Sequence, residues 1–265
     1  MIEYDFRRCK LCEEHSAAPK YPLHQMTLYA CMACDFHYID ALDTYADDVA
    51  AGSLLTTEAR HFINRQLPRN RAQLHQSLRF VESIIPVAGK RCLDIGTGVG
   101  VFPALLKDAG AEPLAIEPQQ IFREYAHAVF GVTSRRERVD DPYWQEQYAE
   151  SFDLVTIWDT LEHDNFPAET VRAACHLLKP GGYLFLDTPS RDALFYRCSE
   201  WLYRFSRGTG AQLLSKLYSP RPYRHKQIFT KKQLWWLLQR NALRIVAQSP
   251  YHNAQRKFVV AARKE

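Results

Sequence analysis

Nowhere in its 265 residues does this chain carry an apolar run of the roughly 18 residues that a bilayer-spanning helix requires. Its opening residues, MIEYDFRRCK, lack the apolar core of a secretory signal, so the expected compartment is the cytoplasm. No internal repeat recurs and no low-complexity tract interrupts the chain, which excludes solenoid and fibrous architectures. Charge of neither sign dominates: 34 Lys and Arg against 30 Asp and Glu leave a net of +4. The length suits one large core plus a small appendage. Glycine is scarce, 11 residues in all, so three of them at alternate positions stand out.

They fall in Arg91–Gly100, RCLDIGTGVG. An apolar strand reaches an acidic residue, Asp94, and Gly96, Gly98 and Gly100 follow. Glycines at a strand-to-helix turn permit a tight bend and let a ligand approach bare backbone. A nicotinamide fingerprint would read G-x-G-x-x-G, and position 101 is Val. The Asp94 carboxylate would repel a pyrophosphate but suits an ammonium group. Glu117 closes a second apolar run, Pro113–Ile116, 23 residues after Asp94. An acidic residue at about that distance, on the tip of the second strand, can accept both hydroxyls of a ribose. In SFDLVTIWDTLEH, Ser151–His163, the run Leu154–Trp158 reads as a central parallel strand buried on both faces. LLKPGGYLFLDTPS, Leu177–Ser190, puts Pro180-Gly181 at a helix end and a further strand at Tyr183–Leu186.

In this order and spacing the four motifs resemble those of class I methyltransferases, which use S-adenosylmethionine (SAM): D-x-G-x-G-x-G, an acidic residue, FD-apolar-LEH and LKPGG-apolar. The resemblance runs from about Lys90 to the C-terminus. It implies an α/β fold with a Rossmann-like seven-stranded sheet. It also implies a SAM site made by Asp94, Gly96, Thr97, Gly98, Gly100, Glu117, Pro118, Trp158 and Asp159. An indole at Trp158 near the sulfonium would add a cation–π contact. The family usually offers an Asp near the adenine amine in the third-strand region. Thr133–Arg138 contains none, and Asp140 and Asp141 are the alternatives.

Seven cysteines would suggest disulfides in a short secreted chain, but four of these follow another pattern. Cys9-x-x-Cys12, then 18 intervening residues, then Cys31-x-x-Cys34 is a zinc-ribbon spacing. Two residues between thiolates let each pair wrap one side of a tetrahedral ion, and four thiolates leave no open position, so a Zn2+ here would be structural. The intervening segment is too short for its own core, and metal bonds would replace one. His15, His24 and His37 read as surface or ribbon-packing residues. Cys92 and Cys175 fit apolar patterns and read as core.

The domain reading is a ribbon over residues 1–45, a helical linker over 46–88 and the methyltransferase domain over 89–265. Short ribbon strands are expected around Leu28–Ala30 and Phe36–Ile39. In the linker, Leu74, Leu78, Val81, Ile84 and Ile85 recur at helical spacing and are expected to pack on the sheet. Sheet strands are expected near 91–95, 113–117, 131–134, 153–158 and 182–187. Leu243–Ala247 and Lys257–Ala262 would be an antiparallel pair at one edge.

An insertion, about 191–227, occupies the place where the family covers its acceptor. Arg191–Lys232 holds ten Lys and Arg against two acids, a net of +8, interleaved with aromatics. It reads either as a lid that attracts an anionic acceptor or as an amphipathic helix with a packed apolar face and a solvated basic one. The same stretch can also graze an anionic membrane surface. Within RPYRHKQIFTKKQLWWLLQRNAL, Arg221–Leu243, the pattern His225, Phe229, Thr230 resembles methyltransferases of quinones, sugars and glycans. That resemblance makes His225 an active-site residue, a general base or a group that only fixes the lid. His163, in LEH, lines the cleft or caps the following turn. The expected acceptor is therefore a small or carrier-linked metabolite, a sugar, glycan or specialised metabolite methylated on oxygen. Two other readings stand beside it: a zinc-ribbon RNA methyltransferase, and a SAM-binding scaffold without catalysis. Against RNA, no Asn-Pro-Pro-Tyr-type motif for amino-group methylation of bases is present. The sequence is silent on oligomeric state.

Overall fold

The computed structural model describes residues 4–44, 55–206, 211–250 and 256–265. The N-terminal part is a small sheet of β1 (Ala17–Leu23), β2 (Met26–Cys31) and β3 (His37–Ile39), followed by the long helix α1 (Thr57–Glu82). Next come β4 (Arg91–Ile95), α2 (Val101–Asp108), β5 (Glu112–Ile116), α3 (Gln120–Phe130), β6 (Ser134–Arg135), α4 (Pro142–Gln147) and β7 (Phe152–Ile157). The chain continues through α5 (Pro167–Leu177), β8 (Leu178–Pro189), α6 (Leu194–Phe205), α7 (Ala211–Ser215), β9 (Gln227–Ile228) and α8 (Lys231–Arg240), and closes with β10 (Leu243–Gln248) and β11 (Lys257–Lys264).

The main sheet has seven strands in the order β10-β11-β8-β7-β4-β5-β6, as in the class I methyltransferase fold. All neighbouring pairs are parallel except the two made by β11, so the last two strands form the expected antiparallel edge pair. Cys92–Ile95 and Leu154–Ile157 are buried on both faces, as unbroken apolar runs require in a sheet covered by helices. Strand β4 pairs with β5 on one side and β7 on the other, so the chain changes direction there. Open α/β sheets bind ligands at such a switch point, beyond the carboxyl ends of the strands.

Two boundaries differ from expectation. Helix α5 stops at Leu177, three residues before Pro180, because a residue preceding proline is pushed out of the helical region. Lys179–Gly182 instead form an irregularity where β8 pairs with β7. The third strand lies at Ser134–Arg135, later than expected, because Gly131 caps α3 and Val132 packs inward. Helix α1 starts from Thr56, whose side chain accepts the Ala59 amide at 3.2 Å. Its Val81 is buried against Phe102 and Leu106 of α2, with Leu74, Leu78, Ile84 and Ile85 around them. Residues 46–54 of the expected linker lie outside the described residues.

The ribbon sheet carries four strands, in the order β1-β2-β3-β9. The fourth comes from the far end of the lid: His37 pairs with Ile228 and Tyr38 with Gln227. The Phe36 and Phe229 rings sit 4.9 Å apart, joining the ribbon to the main core. Helices α6 and α7 lie on this small sheet, with Tyr196, Leu214 and Tyr218 packed on Tyr21, Leu28 and Ile39.

Candidate functional site

Beyond the tips of β4, β5 and β7 lies a cavity of about 880 Å³, counting its open mouth. Ile95, Gly96, Gly98, Glu117, Pro118, Gln119 and Phe122 form one wall, and Asp159, Thr160, His163, Asp164 and Tyr223 face them.

The glycine loop owes its shape to specific neighbours. A Cβ at Gly98, where φ is +55°, would meet no atom within 4 Å, so this position presents bare backbone to the cavity. At Gly96 (φ +74°) a Cβ would stand 2.3 Å from Thr160 Oγ1 and 2.5 Å from its Cγ2. Gly100 leads into α2 and packs against Ala126 of α3. The Glu117 carboxylate clasps the loop: Oε2 accepts from the Gly98 amide at 2.7 Å and Oε1 from the Gln119 amide at 2.8 Å. Burial pushes this carboxyl up to about 7. Each of its oxygens keeps a further lone pair for a ligand hydroxyl.

Asp94 and Thr97 do not line the cavity. Asp94 is buried below the loop, where it accepts from Thr156 Oγ1 of β7 at 2.6 Å, and burial pushes it up to about 6. The Thr97 hydroxyl is buried without a hydrogen-bond partner among the described residues. Trp158 does not reach the cavity either. Its ring packs edge-on against Phe102 at 5.4 Å, under α2, in the helix-covered core. The backbone turns sharply after it, with Asp159 at φ +46°, so Asp159 faces the cavity and the indole faces away. Such a φ on a non-glycine residue is strained, and surrounding bonds must hold it. The Asp159 amide donates to Asp187 Oδ1 at 2.6 Å, Gln73 of α1 donates to Asp159 Oδ2 at 2.9 Å, and Lys257 of β11 pairs with Asp159 and with Asp187. Against desolvation, Lys257 keeps Asp159 below the usual carboxylate range. Asp187, fully buried, is pushed up to about 7 by its burial.

On the outer side, LEH and the lid meet. The His163 and His225 rings are 4.9 Å apart. Glu162 is fully buried, and neither carboxylate oxygen has a hydrogen-bond partner among the described residues. Its Oε1 lies 3.9 Å from His163 Nε2 and 4.0 Å from His225 Nε2. Burial, then the charge of Asp159, raise Glu162 to about 8. Burial, then His225, lower His163 to about 4, and burial lowers His225 also, so both imidazoles are neutral at neutral pH. The Leu217 carbonyl accepts from His225 Nδ1 at 3.2 Å, which leaves Nε2 as the unprotonated nitrogen. These three donor atoms lie within 4.8 Å of one another, a set that a divalent cation can also draw together.

Asp140 and Asp141, the alternatives for the adenine contact, are engaged elsewhere. Asp140 pairs with Arg138 at 3.0 Å, and Asp141 caps α4 through the Tyr143 amide at 2.9 Å. Arg138 and Val139 line the cavity in their place. Two of the lid cations are likewise consumed: Arg191 pairs with Asp35, and Lys226 with the buried Asp43 at 2.9 Å. Sequence reasoning missed Gln73, Thr160, Tyr223 and Lys257. Thr160 and Tyr223 lie inside the stretches Ser151–His163 and Arg221–Leu243 without a role being assigned to them there, whereas Gln73 and Lys257 sit in no motif and are brought in by tertiary packing.

The four ribbon cysteines converge away from the cavity. Cys9 and Cys34 Sγ are 3.6 Å apart, as are Cys12 and Cys31 Sγ, and all four lie within 4.8 Å of one another. That is far beyond a disulfide bond and close to the edge of a tetrahedron with zinc–sulfur bonds of about 2.3 Å. The Leu11 amide points at Cys9 Sγ from 3.4 Å, the arrangement of a metal-binding knuckle. His37 is not a ligand: it is buried between Tyr196, 3.0 Å from Nδ1, and Lys20, 2.9 Å from Nε2.

Residues 55–248 match the family model described as a methyltransferase domain. Among curated proteins, a ubiquinone biosynthesis O-methyltransferase of Ralstonia nicotianae is 35% identical over 122 residues, 45% of this chain and 51% of that protein. A protein of the same name from Xanthomonas axonopodis is 31% identical over 171 residues, 62% of this chain and 66% of that one. The chain thus spans about half the length of the first of these relatives. Among solved structures, a SAM-dependent methyltransferase of Thermotoga maritima, described as a possible histamine N-methyltransferase, superposes with a TM-score of 0.55 at 19% identity, covering 78% of this chain and 97% of that one. The magnesium protoporphyrin IX methyltransferase of Synechocystis, solved with bound S-adenosylhomocysteine, gives 0.54 at 14% identity over 74% and 84%. Identities this low speak for the fold alone.

Proposed function

Because this chain belongs to the SAM-dependent class I methyltransferases, we propose that it methylates a hydroxyl oxygen of a small metabolite. The observation that carries this reading is a two-sided cavity, with bare Gly98 backbone and Glu117 on one wall and His163, backed by His225, on the other. The likeness to relatives named O-methyltransferases supports the choice of oxygen.

Bound SAM supplies a methyl group on a sulfonium, whose sulfur is a good leaving group. The protein's part is then placement, dryness and one proton. Gly98 lets the ligand lie against backbone, and Glu117 accepts the ribose hydroxyls. Asp94 secures the loop from beneath through Thr156. Helix α1 closes one flank through Gln73, and Asn64 accepts from Tyr125 of α3 at 2.5 Å. His163 on the cavity wall and, behind it, His225, neutral and oriented by Leu217, form the imidazole pair that takes up the acceptor proton. The thiolates of Cys9, Cys12, Cys31 and Cys34 would hold one Zn2+, whose part would be structural, since four protein ligands would leave no open position.

The test is transfer of labelled methyl from SAM across phenols, hydroxylated sugars and ribosomal RNA at physiological salt. The expected product is a methyl ether on a small acceptor. Transfer confined to RNA, or failure to bind S-adenosylhomocysteine, would overturn the reading.

A further inference from the structure

Helix α6 is inverted. Its buried face is the hydrogen-bonding one: Tyr196 hydroxyl meets His37 Nδ1 at 3.0 Å and Tyr218 hydroxyl at 2.6 Å. Tyr203 donates to the Pro22 carbonyl at 3.0 Å, and Tyr21 of the ribbon donates to Glu200 at 3.1 Å. The opposite face is apolar and faces solvent. Leu194 is 75% exposed, Phe195 55%, Trp201 60%, Leu202 38% and Phe205 70%. With exposed Cys198 they stand at spacings of one, four, seven, eight and eleven, a single stripe along the helix. The Trp201 and Phe205 rings pair at 4.3 Å on its surface. The tyrosine bonds already fix the helix, so the stripe plays no part in holding it.

We propose that this stripe is a docking surface for an anionic phospholipid bilayer, with α6 lying in the plane of the interface. Charge selects the occupant. Seven cations of the surrounding segment are exposed: Arg197, Arg204, Lys216, Arg221, Arg224, Lys231 and Lys232. Glu200, one of the segment's two acids, is turned toward the ribbon. Trp, Phe and Leu beside clustered Lys and Arg are the composition of interfacial helices, whose rings enter the headgroup boundary while cations meet anionic lipid. A second copy of the chain would have to set the same cationic segment against itself in a two-fold contact. No described helix is long and apolar enough to cross a membrane, so the contact is peripheral.

The full chain is floated with vesicles of phosphatidylcholine alone or of phosphatidylcholine mixed with phosphatidylglycerol. Binding is expected to the phosphatidylglycerol vesicles, at least about tenfold stronger than to phosphatidylcholine, and to weaken as salt rises. The double substitution Trp201→Asp, Phe205→Asp is expected to reduce partitioning about tenfold or more. Its affinity for S-adenosylhomocysteine should be unchanged, which checks folding, since these side chains do not line the cavity. Brominated lipid should quench tryptophan fluorescence, and less so in Trp201→Phe. Three results would overturn the proposal. Phosphatidylglycerol vesicles bind nothing at low salt, the double variant binds like the parent, or the double variant instead abolishes a lipid-independent dimer in sedimentation.

Discussion

Replacing either loop glycine by alanine should damage the protein in opposite ways. Both sites have positive φ, +74° at Gly96 and +55° at Gly98, which costs an L-residue about 1–2 kcal/mol. At Gly98 that strain is the whole effect on the fold, because the new methyl meets nothing within 4 Å. At Gly96 the methyl is driven into three Thr160 atoms, at 2.3, 2.5 and 2.9 Å. Thr160 must rotate, losing its 2.8 Å bond to the Trp158 carbonyl, worth about 1 kcal/mol, and adding about 1–3 kcal/mol of overpacking. Gly96→Ala should therefore cost about 3–6 kcal/mol, a large share of a typical domain's stability. Urea unfolding measures the first effect and calorimetry with S-adenosylhomocysteine the second. Gly98→Ala should keep most of its stability and lose tenfold or more in affinity, about 1.4 kcal/mol. Adding Thr160→Ala to Gly96→Ala removes two of the three clashing atoms and should restore about 1–3 kcal/mol. Additive losses in the double variant would refute the clash, and unchanged affinity in Gly98→Ala would refute the bare-backbone contact.

Glu117, raised to about 7 by its burial, should bind ligand better once ionised, so affinity for S-adenosylhomocysteine should rise through about pH 7 and level off above it. The acceptor of ribose hydroxyls is the carboxylate, which gives the sign, and calorimetry should find the slope flattened in Glu117→Gln. His225→Ala should lower kcat by about 10²-fold or more and change S-adenosylhomocysteine affinity less than threefold, as steady-state kinetics and calorimetry would record. Elemental analysis of protein purified without chelator should find about one zinc per chain, and Cys31→Ser should lose it. Hydrogen exchange should then quicken at Ile39 and Ile228, on the seam between β3 and β9.

What the sequence disclosed followed from periodicity and spacing. Buried parallel strands announce themselves as unbroken apolar runs, and the loops after β4, β5 and β7 carried the acidic residues and glycines that now surround one cavity. Direction was harder. Trp158 and Asp159 are neighbours in the chain, yet the turn at Asp159 sends one into the core and the other into the cavity. Strand β9 is two residues long, too short for any alternation to be visible. Gln73 and Lys257 lie 86 and 98 residues from Asp159, and only the packing of α1 and β11 brings them to it. Helix α6 was legible as amphipathic, but periodicity does not say which face turns inward. Tyrosine hydroxyls settled that against the usual rule.

Strand β9 also bears on the order of events during synthesis. His37 and Ile228 are 191 positions apart, so the ribbon's last seam closes only after all the chain between them has been made. The loop entropy of that closure grows slowly with length, but the waiting time on the ribosome does not shrink. Until then β3 presents an open edge of unpaired amides and carbonyls, the kind of edge that seeks strands from other chains. The ribbon sheet therefore emerges long before it can be finished, and the segment that finishes it is the one that carries His225.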